Sequence, residues 1–300
     1  MKQLPLIAGH LYTAPWNILP DSHAEICRQF QDYLRDPSRA DKQFKAHQKS
    51  AVVFKAPTGE ADDEEGPTWQ NDSGQKGCWH PQVVVVGSMA ILPVKGIIGK
   101  HLSALEMWCG GCDSAIIAKQ ARNIAADERI TDVIVYIDSP GGSCIGAIEA
   151  ATAIQQMSAV KSSIAYTDTM AASNGYFFAS ACNQIAASPS SIVGSISTYS
   201  AFLDESRAYE MEGLQIQMFR SGEVKGAGTP GKPWTDAEKA AQQLMVDQFS
   251  TQFKGFVKAR RGLADDLMQG QCWPAEFAPV GLVDVLYDDL ESLVADIRSF

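Results

Sequence analysis

From residue 82 onward, short β-branched stretches alternate with longer stretches of helical periodicity. A short apolar run bounded by turn residues predicts a strand, and apolar residues three or four positions apart predict a helix. Strands are predicted at 83–86, 91–99, 133–138, 163–168, 183–188, 215–219 and 283–287. Helices are predicted at 113–127, 144–158, 174–182, 200–212 and 235–260. The apolar residues Leu244, Val246, Phe249 and Phe253 of the last helix belong either to the core or to an interface, and the core is the favoured interpretation.

The alternation itself predicts the fold class. Strands separated by helices at this rhythm form βα crossover units and a mostly parallel sheet. The fold class is therefore expected to be α/β. Because ligand sites of such sheets lie at the carboxyl ends of the strands, a site is expected in the loops after residues 138, 168 and 219.

The first 80 residues differ in character from the rest of the chain. Ile26, Phe30 and Leu34 recur at helical spacing and predict a helix at 23–36. Residues 56–77 carry six acidic residues against one lysine, a composition that cannot bury enough apolar surface to order itself. We expect three parts, namely an N-terminal helical extension, an acidic flexible linker and a larger domain, at 1–55, 56–80 and 81–300.

The net charge excludes some classes of binding partner. At −10, the chain lacks the basic footprint that nucleic acids and anionic membrane surfaces require, so polypeptide partners are expected. The sequence contains no apolar window of about 18 residues and no clean apolar run at its N-terminus. These features predict a cytoplasmic protein that has no contact with a membrane.

The seven cysteines are an odd number spread along the chain, which suits a reducing compartment better than a disulfide framework. Cys109 and Cys112 have CxxC spacing, but no second CxxC and no nearby histidine pair completes a zinc site. The simpler interpretation is a turn with two small buried thiols before a helix that Asp113 opens. Neither a metal nor a cofactor is expected.

Two loops with small residues, IDSPGGSCIG and MAASNGYFFASAC, follow predicted strands. Gly141 and Gly142 allow a sharp turn that presents amide groups to an oxyanion, although Ser-Pro-Gly-Gly is also an ordinary turn. Ser173 lies between Ala172 and Gly175, which would leave room for a substrate beside its hydroxyl. A serine just before a helix is also an ordinary N-cap. A nucleophilic serine would in addition need a base.

The third loop, FRSGEVKGAG, supplies a candidate base. None of the five histidines follows Ser173, and only His101 falls within the α/β region. Lys225 follows a predicted strand among glycines, whereas the lysines of 235–260 belong to the solvent face of a predicted helix. A lysine acts as a base only when it is uncharged, which requires an environment that excludes water. Two interpretations stay open for Lys225, a general base for Ser173 and an ordinary surface lysine.

Five motifs resemble a known family of peptidases. DSPGG, AASNGYFFASAC, VGSIS, SGEVKGAG and GLVDVL follow, in order and with similar spacing, the pattern of the signal peptide peptidase A-like serine peptidases, the S49 family. The resemblance covers roughly residues 82–290. It implies a Clp/crotonase-like fold and a Ser-Lys dyad, with Ser173 as the nucleophile and Lys225 as the general base.

The same resemblance implies roles for other residues. The backbone amides of Gly141 and Gly142, together with that of Asn174 after the nucleophile, are expected to hold the oxyanion. Asn174 stands where the family often has a glycine. Ser195, in VGSIS, is expected to help orient the lysine. Family members usually assemble into rings, so a homo-oligomer is expected.

The N-terminal sequence LPLIAGHLYTAPWNILPDSHAEI resembles the start of phage head maturation proteases of the lambda capsid-protease type. This resemblance implies a serine endopeptidase that cuts capsid, portal or scaffold proteins inside an assembling procapsid in the host cytoplasm. The substrate is expected to bind as an added strand near 91–98.

Three alternatives stay open at this point. The first is protein degradation of the signal peptide peptidase kind in the cytoplasm. The second is crotonase-type acyl-CoA chemistry, although neither the 139–145 loop nor the 169–176 loop carries a carboxylate. The third is a catalytically silent capsid-binding module, in which Ser173 is only a helix cap.

Overall fold

The computed structural model describes residues 16–18, 68–70, 76–78, 83–103, 106–107 and 110–298. The strands of this part of the chain, numbered in chain order, are β1 (Trp16–Ile18), β2 (Thr68–Gln70), β3 (Lys76–Cys78), β4 (Val84–Val86), β5 (Met89–Lys95), β6 (Ile97–Gly99), β7 (Gly111–Asp113), β8 (Asp132–Asp138), β9 (Gly141–Ser143), β10 (Ser162–Thr167), β11 (Met170–Ala172), β12 (Gln184–Ala187), β13 (Ile192–Gly194), β14 (Cys272–Pro274) and β15 (Val285–Leu286). The α-helices are α1 (Ser114–Ala126), α2 (Ala147–Ser158), α3 (Asn174–Ser180), α4 (Ser206–Met211), α5 (Asp236–Arg261) and α6 (Leu290–Arg298).

Six strands form the main sheet, in the order β15, β12, β10, β8, β5, β4. All neighbours are parallel except β4 and β5, which pair antiparallel at one edge. The central strand β8 has buried residues at Val133, Ile134 and Val135 in succession, as expected of a parallel strand that is covered on both faces. Helices α1, α2 and α3 occur in the connections between parallel strands. This topology confirms the predicted α/β class with a mostly parallel sheet.

A second layer of short strands lies past the carboxyl ends of the main sheet. The strands β6, β9, β11 and β13 follow β5, β8, β10 and β12, respectively, along the chain. They belong to two small sheets, one in the order β1, β9, β6, β7 and the other in the order β11, β13, β14. The carboxyl ends of an open α/β sheet are where ligands bind. The loops that carry Gly141 and Ser173 are both in this layer.

The core fixes the position of α3, the helix that follows Ser173. Every residue of α3 is buried, and the ring of Phe177 stacks on that of Phe253 from α5 with 4.6 Å between the centroids. The hydroxyl of Tyr176 donates a hydrogen bond to the Leu282 carbonyl at 3.0 Å. The backbone that leads out of Ser173 is therefore held on several sides by the core.

The long helix α5 packs in the core only through its second half. Phe253 and Val257 are buried, as predicted for Phe253. Leu244 is exposed, so its predicted core position is wrong. The helix ends at Gly262, which has a φ of 65° and serves as a left-handed C-cap.

Several other predictions are corrected. The predicted strand at 215–219 is absent, because residues 214–220 have no regular structure. The predicted strand at 91–99 is two strands, which separate at Gly96 with a φ of 89°. Strand β4 pairs only with Met89, Ala90 and Ile91 of β5, so the addition of a substrate strand near 91–98 stays a prediction.

Only some of the predictions for the N-terminal region can be compared with the structure. The predicted helix at 23–36 lies outside the described residues. Within the predicted flexible linker, β2 and β3 pair as an antiparallel two-stranded ribbon. The division of the chain into three parts stays a prediction.

Candidate active site

Ser173 lies between β11 and α3 in a backbone conformation that few non-glycine residues adopt. Its φ is 55° and its ψ is −117°, and its N–H donates to the Gly194 carbonyl of β13 at 2.8 Å. Such a conformation costs on the order of 1–3 kcal/mol and persists only where the surrounding structure imposes it. A strained turn between a strand and a helix is also the way in which nucleophile elbows present a serine hydroxyl.

The Ser173 hydroxyl is buried without a hydrogen-bond partner. The residue is 1% exposed, and no group bonds to its Oγ. Although Ser173 is the N-cap residue of α3, its side chain makes no capping hydrogen bond. Its interpretation as an ordinary cap is therefore wrong. An unpaired buried hydroxyl costs about 1–3 kcal/mol of folding free energy, and Ser114 and Thr167 share this feature. Its combination with a strained backbone distinguishes Ser173 from them.

Close packing accounts for the small residues around Ser173. A Cβ on Gly175 would lie 2.9 Å from the Ser139 carbonyl oxygen. Ala171 and Ala172 are buried, and the N–H of Ala172 donates to the same carbonyl at 3.1 Å. These residues let β11 and α3 approach the end of β8. The room that they were expected to leave for a substrate is therefore filled at least partly by backbone.

Strand β9 carries the second predicted loop and lies close to β6. A Cβ on Gly142 would lie 2.0 Å from the Ile98 carbonyl oxygen, so a glycine is required at this approach. Gly141 has a φ of 107°, and its N–H donates to the Ser139 hydroxyl at 3.2 Å. That hydroxyl donates in turn to the Gly96 carbonyl at 2.6 Å. The Gly141 amide thus already has a partner within the protein, and Gly142 is paired with strands on both sides.

Asn174 connects the serine loop with the glycine loop. Its Nδ2 donates to the Ser143 carbonyl at 2.7 Å, and the residue is fully buried. Its backbone amide opens α3, and the first amides of a helix have no partner within the helix. The side-chain hydrogen bond therefore fixes the spacing between the two loops to which the oxyanion and nucleophile roles are assigned.

The N-terminal strand β1 covers the outer edge of β9. It pairs antiparallel with β9, with Asn17 opposite Gly142. The other edge of β9 pairs with β6. Both edges of the glycine strand are thus occupied by segments of the same chain.

Ser195 repeats the backbone geometry of Ser173 on the neighbouring strand. The parallel strands β11 and β13 place Ala172 opposite Gly194, so both serines stand one residue past the paired positions. Ser195 also has a φ of 55°. The Cys272 thiol hydrogen-bonds with Ser195, and burial raises the pKa of this thiol while the bond opposes the rise. Ser195 therefore lies beside the candidate nucleophile, while its role in orienting a lysine stays a prediction.

Lys225 is exposed, in a series of turns over residues 221–228. It makes no hydrogen bond to Ser173, whose hydroxyl has no partner. The structure thus brings Ser173 together with Asn174 and Ser195, but it does not pair Ser173 with Lys225. The dyad stays a prediction, and any pairing needs a further event that brings the two side chains together.

The cysteine pair gains no support as a redox or metal site. Burial raises the pKa of the Cys112 thiol to about 12, and the thiolate rather than the thiol is the form that binds metals. Cys109 lies outside the described residues. Across the described ranges, no group of three or more His, Cys, Asp or Glu side chains could hold a metal ion.

Sequence reasoning missed Ser139 and Glu238. The Ser139 hydroxyl, buried between two glycine backbones, could not be distinguished from an ordinary turn serine. Glu238 is a buried carboxylate that pairs with Arg220 and Lys232, on either side of Lys225. The Thr-x-x-Glu spacing from Thr235 is the signature of a capping box and could have drawn attention to it.

Comparison with known sequences supports the resemblance. Residues 155–291 match Peptidase family S49. Capsid assembly protease C of Escherichia phage lambda is 27% identical over 180 residues, which cover 60% of this chain and 41% of that protein. A putative protease of Methanocaldococcus jannaschii is 26% identical over 176 residues, covering 57% of either chain. The chain therefore spans 41% and 57% of the lengths of these two relatives.

Among solved structures, a ClpP1 mutant from Listeria monocytogenes aligns with a TM-score of 0.42 and 12% identity, over 68% of this chain and 94% of that one. The α/β class of the present chain rests on its own sheet topology. None of the helices within the described ranges combines the length and the apolar character needed to cross a membrane.

Proposed function

We propose that this chain, which belongs to peptidase family S49, is a serine endopeptidase with Ser173 as nucleophile and Lys225 as general base. The observation that carries the proposal is the Ser173 hydroxyl, which is buried, unpaired and held in a strained strand-to-helix turn. Such a hydroxyl contributes nothing to helix capping. Its lone pairs are not engaged by any other group, as an attacking oxygen requires.

The proposed reaction is acyl transfer to water. The Oγ of Ser173 attacks the carbonyl carbon of a peptide bond while its proton passes to the uncharged amine of Lys225. The carbonyl oxygen becomes an oxyanion, which the backbone amides of Gly142 and Asn174 stabilise. The lysine returns the proton to the leaving amine, and water then hydrolyses the acyl-enzyme.

The exposure of Lys225 supports a site that is completed by a second copy of the chain. Six large apolar side chains that precede Lys225 along the chain are exposed, namely Leu203, Met211, Leu214, Ile216, Phe219 and Val224. A monomeric protein seldom exposes so much apolar surface in one segment. Assembly that covers this segment would also remove water from Lys225, which a lysine base requires.

Phage head proteins are the proposed substrates. The similarity to a capsid assembly protease of phage lambda supports this class, and so does the N-terminal sequence. We expect a phage scaffold or capsid protein produced together with the wild-type chain to be cut, but not when it is produced with Ser173→Ala. Substrates that stay intact with both chains would contradict this assignment.

The dyad is tested with labelled casein as a general substrate. Ser173→Ala and Lys225→Ala should each lower the rate of cleavage by at least about 10³-fold, with circular dichroism unchanged. Lys239→Ala, which removes another exposed lysine, is the matched control and should keep full activity. Retained cleavage in either dyad variant would contradict the proposal.

Mixing the two inactive variants shows where the site is formed. If Ser173 of one copy meets Lys225 of another, some sites in a mixed assembly hold both residues, and activity should return. If the pair forms within one chain, the mixture should stay inactive.

A further inference from the structure

We propose that Glu238 is a positioning residue, which holds both ends of the loop that carries Lys225. The loop runs through 221–231, between Arg220 and Lys232, and we call Arg220, Lys232 and Glu238 the clasp. The inference rests on the proposed function, because only the role of Lys225 as base gives the position of this loop a catalytic meaning.

The clasp is a buried and fully bonded ionic group. Glu238 has no exposed surface. Its Oε2 lies 2.6 Å from the Nζ of Lys232 and accepts the Thr235 N–H at 3.0 Å. Its Oε1 pairs with the guanidinium of Arg220. Because a buried charge without its partners is strongly unfavourable, the carboxylate and the two cations hold one another in place.

The contacts continue from the clasp to the backbone of Lys225. The guanidinium of Arg220, besides pairing with Glu238, donates to the Lys225 carbonyl at 3.5 Å. The N–H of Lys225 donates to the Gly222 carbonyl at 3.1 Å, which shapes the turn within the loop. Glu238 belongs to the first turn of α5, and Phe253 anchors that helix in the core. The location of the loop is thereby tied to the core through one carboxylate.

Capping of α5 alone does not account for this arrangement. One oxygen of Glu238 suffices for the capping box with Thr235, and the cap needs no cation. Asp236, in the same turn, supplies an acidic group at the helix N-terminus from a fully exposed position. The second oxygen of Glu238 is bonded to Arg220. This bond adds nothing to the helix cap, but it links the loop to α5.

The test compares Glu238→Gln with Asp236→Asn in the full chain. Both variants remove one negative charge from the first turn of α5, but only the first breaks the clasp, and glutamine can still cap the helix. We expect Glu238→Gln to lower kcat for casein by about tenfold or more with little change in KM, since small misplacements of a catalytic group are costly. We expect faster amide hydrogen exchange across 219–234 in the same variant. Asp236→Asn should match the wild type in both measurements.

Arg220→Gln provides a second variant in case Glu238→Gln folds poorly. Both single variants and the double variant should show a similar loss of kcat, since residues that act through one contact are not additive. Unchanged hydrogen exchange in Glu238→Gln would contradict the claim that Glu238 holds the loop. Faster exchange without any loss of kcat would contradict the claim that this hold positions Lys225 for catalysis. If the wild type itself shows no cleavage that depends on Ser173, the proposed function fails, and the exchange measurement alone decides whether the clasp holds the loop.

Discussion

The strained backbone at Ser173 is maintained by neighbours that leave no room for larger side chains. Gly175 contacts the end of β8, and Gly142 contacts β6, so each glycine sets the distance between two backbones. Backbone packing, together with the Asn174 side chain, therefore places the proposed nucleophile and the proposed oxyanion amides. A single added methyl group should disturb them.

Gly142→Ala tests this packing. The new Cβ would lie 2.0 Å from the Ile98 carbonyl oxygen, so β9 must move away from β6. We expect a lower melting temperature and a loss of peptidase activity of about 10²-fold, the typical effect of losing one oxyanion donor. Gly255→Ala is the control, because nothing lies within 4 Å of its Cβ position. It should keep its activity and be as stable as the wild type or more so.

Protonation of Glu238 should make the folded protein less stable at acid pH. Lys232 above all, and then the Thr235 N–H, lower the pKa of its carboxyl from 4.5 to about 2. Between these values the unfolded chain binds a proton that the folded chain excludes, so the stabilisation is complete above about pH 4.5 and is lost as the pH falls toward 2. We expect Glu238→Gln to lose less stability than the wild type between about pH 5 and pH 3, measured as urea midpoints. Parallel pH dependences in the two proteins would contradict this.

The sequence nominates candidate site residues, but it does not predict their environments. The order of motifs pointed to Ser173 and Lys225 together. Whether a hydroxyl is buried and unpaired depends on contacts with residues distant along the chain, such as Gly194, and no local pattern encodes them. The exposure of Lys225 agrees with one of the two interpretations that the sequence left open, an ordinary surface lysine. The run at 215–219 was wrongly predicted to be a strand because it is apolar without being core.

At the scale of elements, the long strands were predictable and the short ones were not. Strands such as β8 carry β-branched runs that only a sheet buries well. The strands β9 and β11 have three residues each, with sequences GGS and MAA. Such short strands have no detectable periodicity. They form because the main sheet places their loops side by side. The layer that holds the candidate site was therefore the part of the fold that could not be predicted.

Strand β1 lies where an extended substrate could otherwise pair with β9. Replacing residues 16–18 by three prolines removes the amide donors of β1 and should release that edge. We expect a serine-reactive phosphonate to label Ser173 about fivefold faster, which corresponds to the loss of one backbone hydrogen bond. Three alanines at the same positions keep the amides and should leave the rate near that of the wild type. Equal rates with the prolines and the alanines would show that β1 does not restrict the site.

At the scale of the whole molecule, the segment 203–224 stands out among the described residues for its exposed apolar side chains. Phe219 is 96% exposed and lies on the same segment as five other exposed apolar side chains. The main sheet and its helices bury their apolar faces, whereas this segment buries few of its own. The loop with Lys225 thus belongs to a surface that another subunit would stabilise.

Phe219→Asp tests the assembly. A charge at the centre of an apolar interface is strongly unfavourable, so we expect a smaller sedimentation coefficient and a loss of peptidase activity. Val280→Asp, at a side chain that is 98% exposed outside this segment, is the control and should sediment like the wild type. If Phe219→Asp leaves both the mass and the activity unchanged, the segment is not an interface.

The central claim is that the Ser173 hydroxyl is activated by Lys225, and covalent labelling of Ser173 measures this directly. The rate at which a fluorophosphonate modifies Ser173, located by mass spectrometry, should rise from about pH 6 to about pH 9 in the wild type. In Lys225→Ala the rate should fall by at least about 10²-fold and lose this rise. Equal rates in the two proteins, or modification of a different serine, would contradict the account.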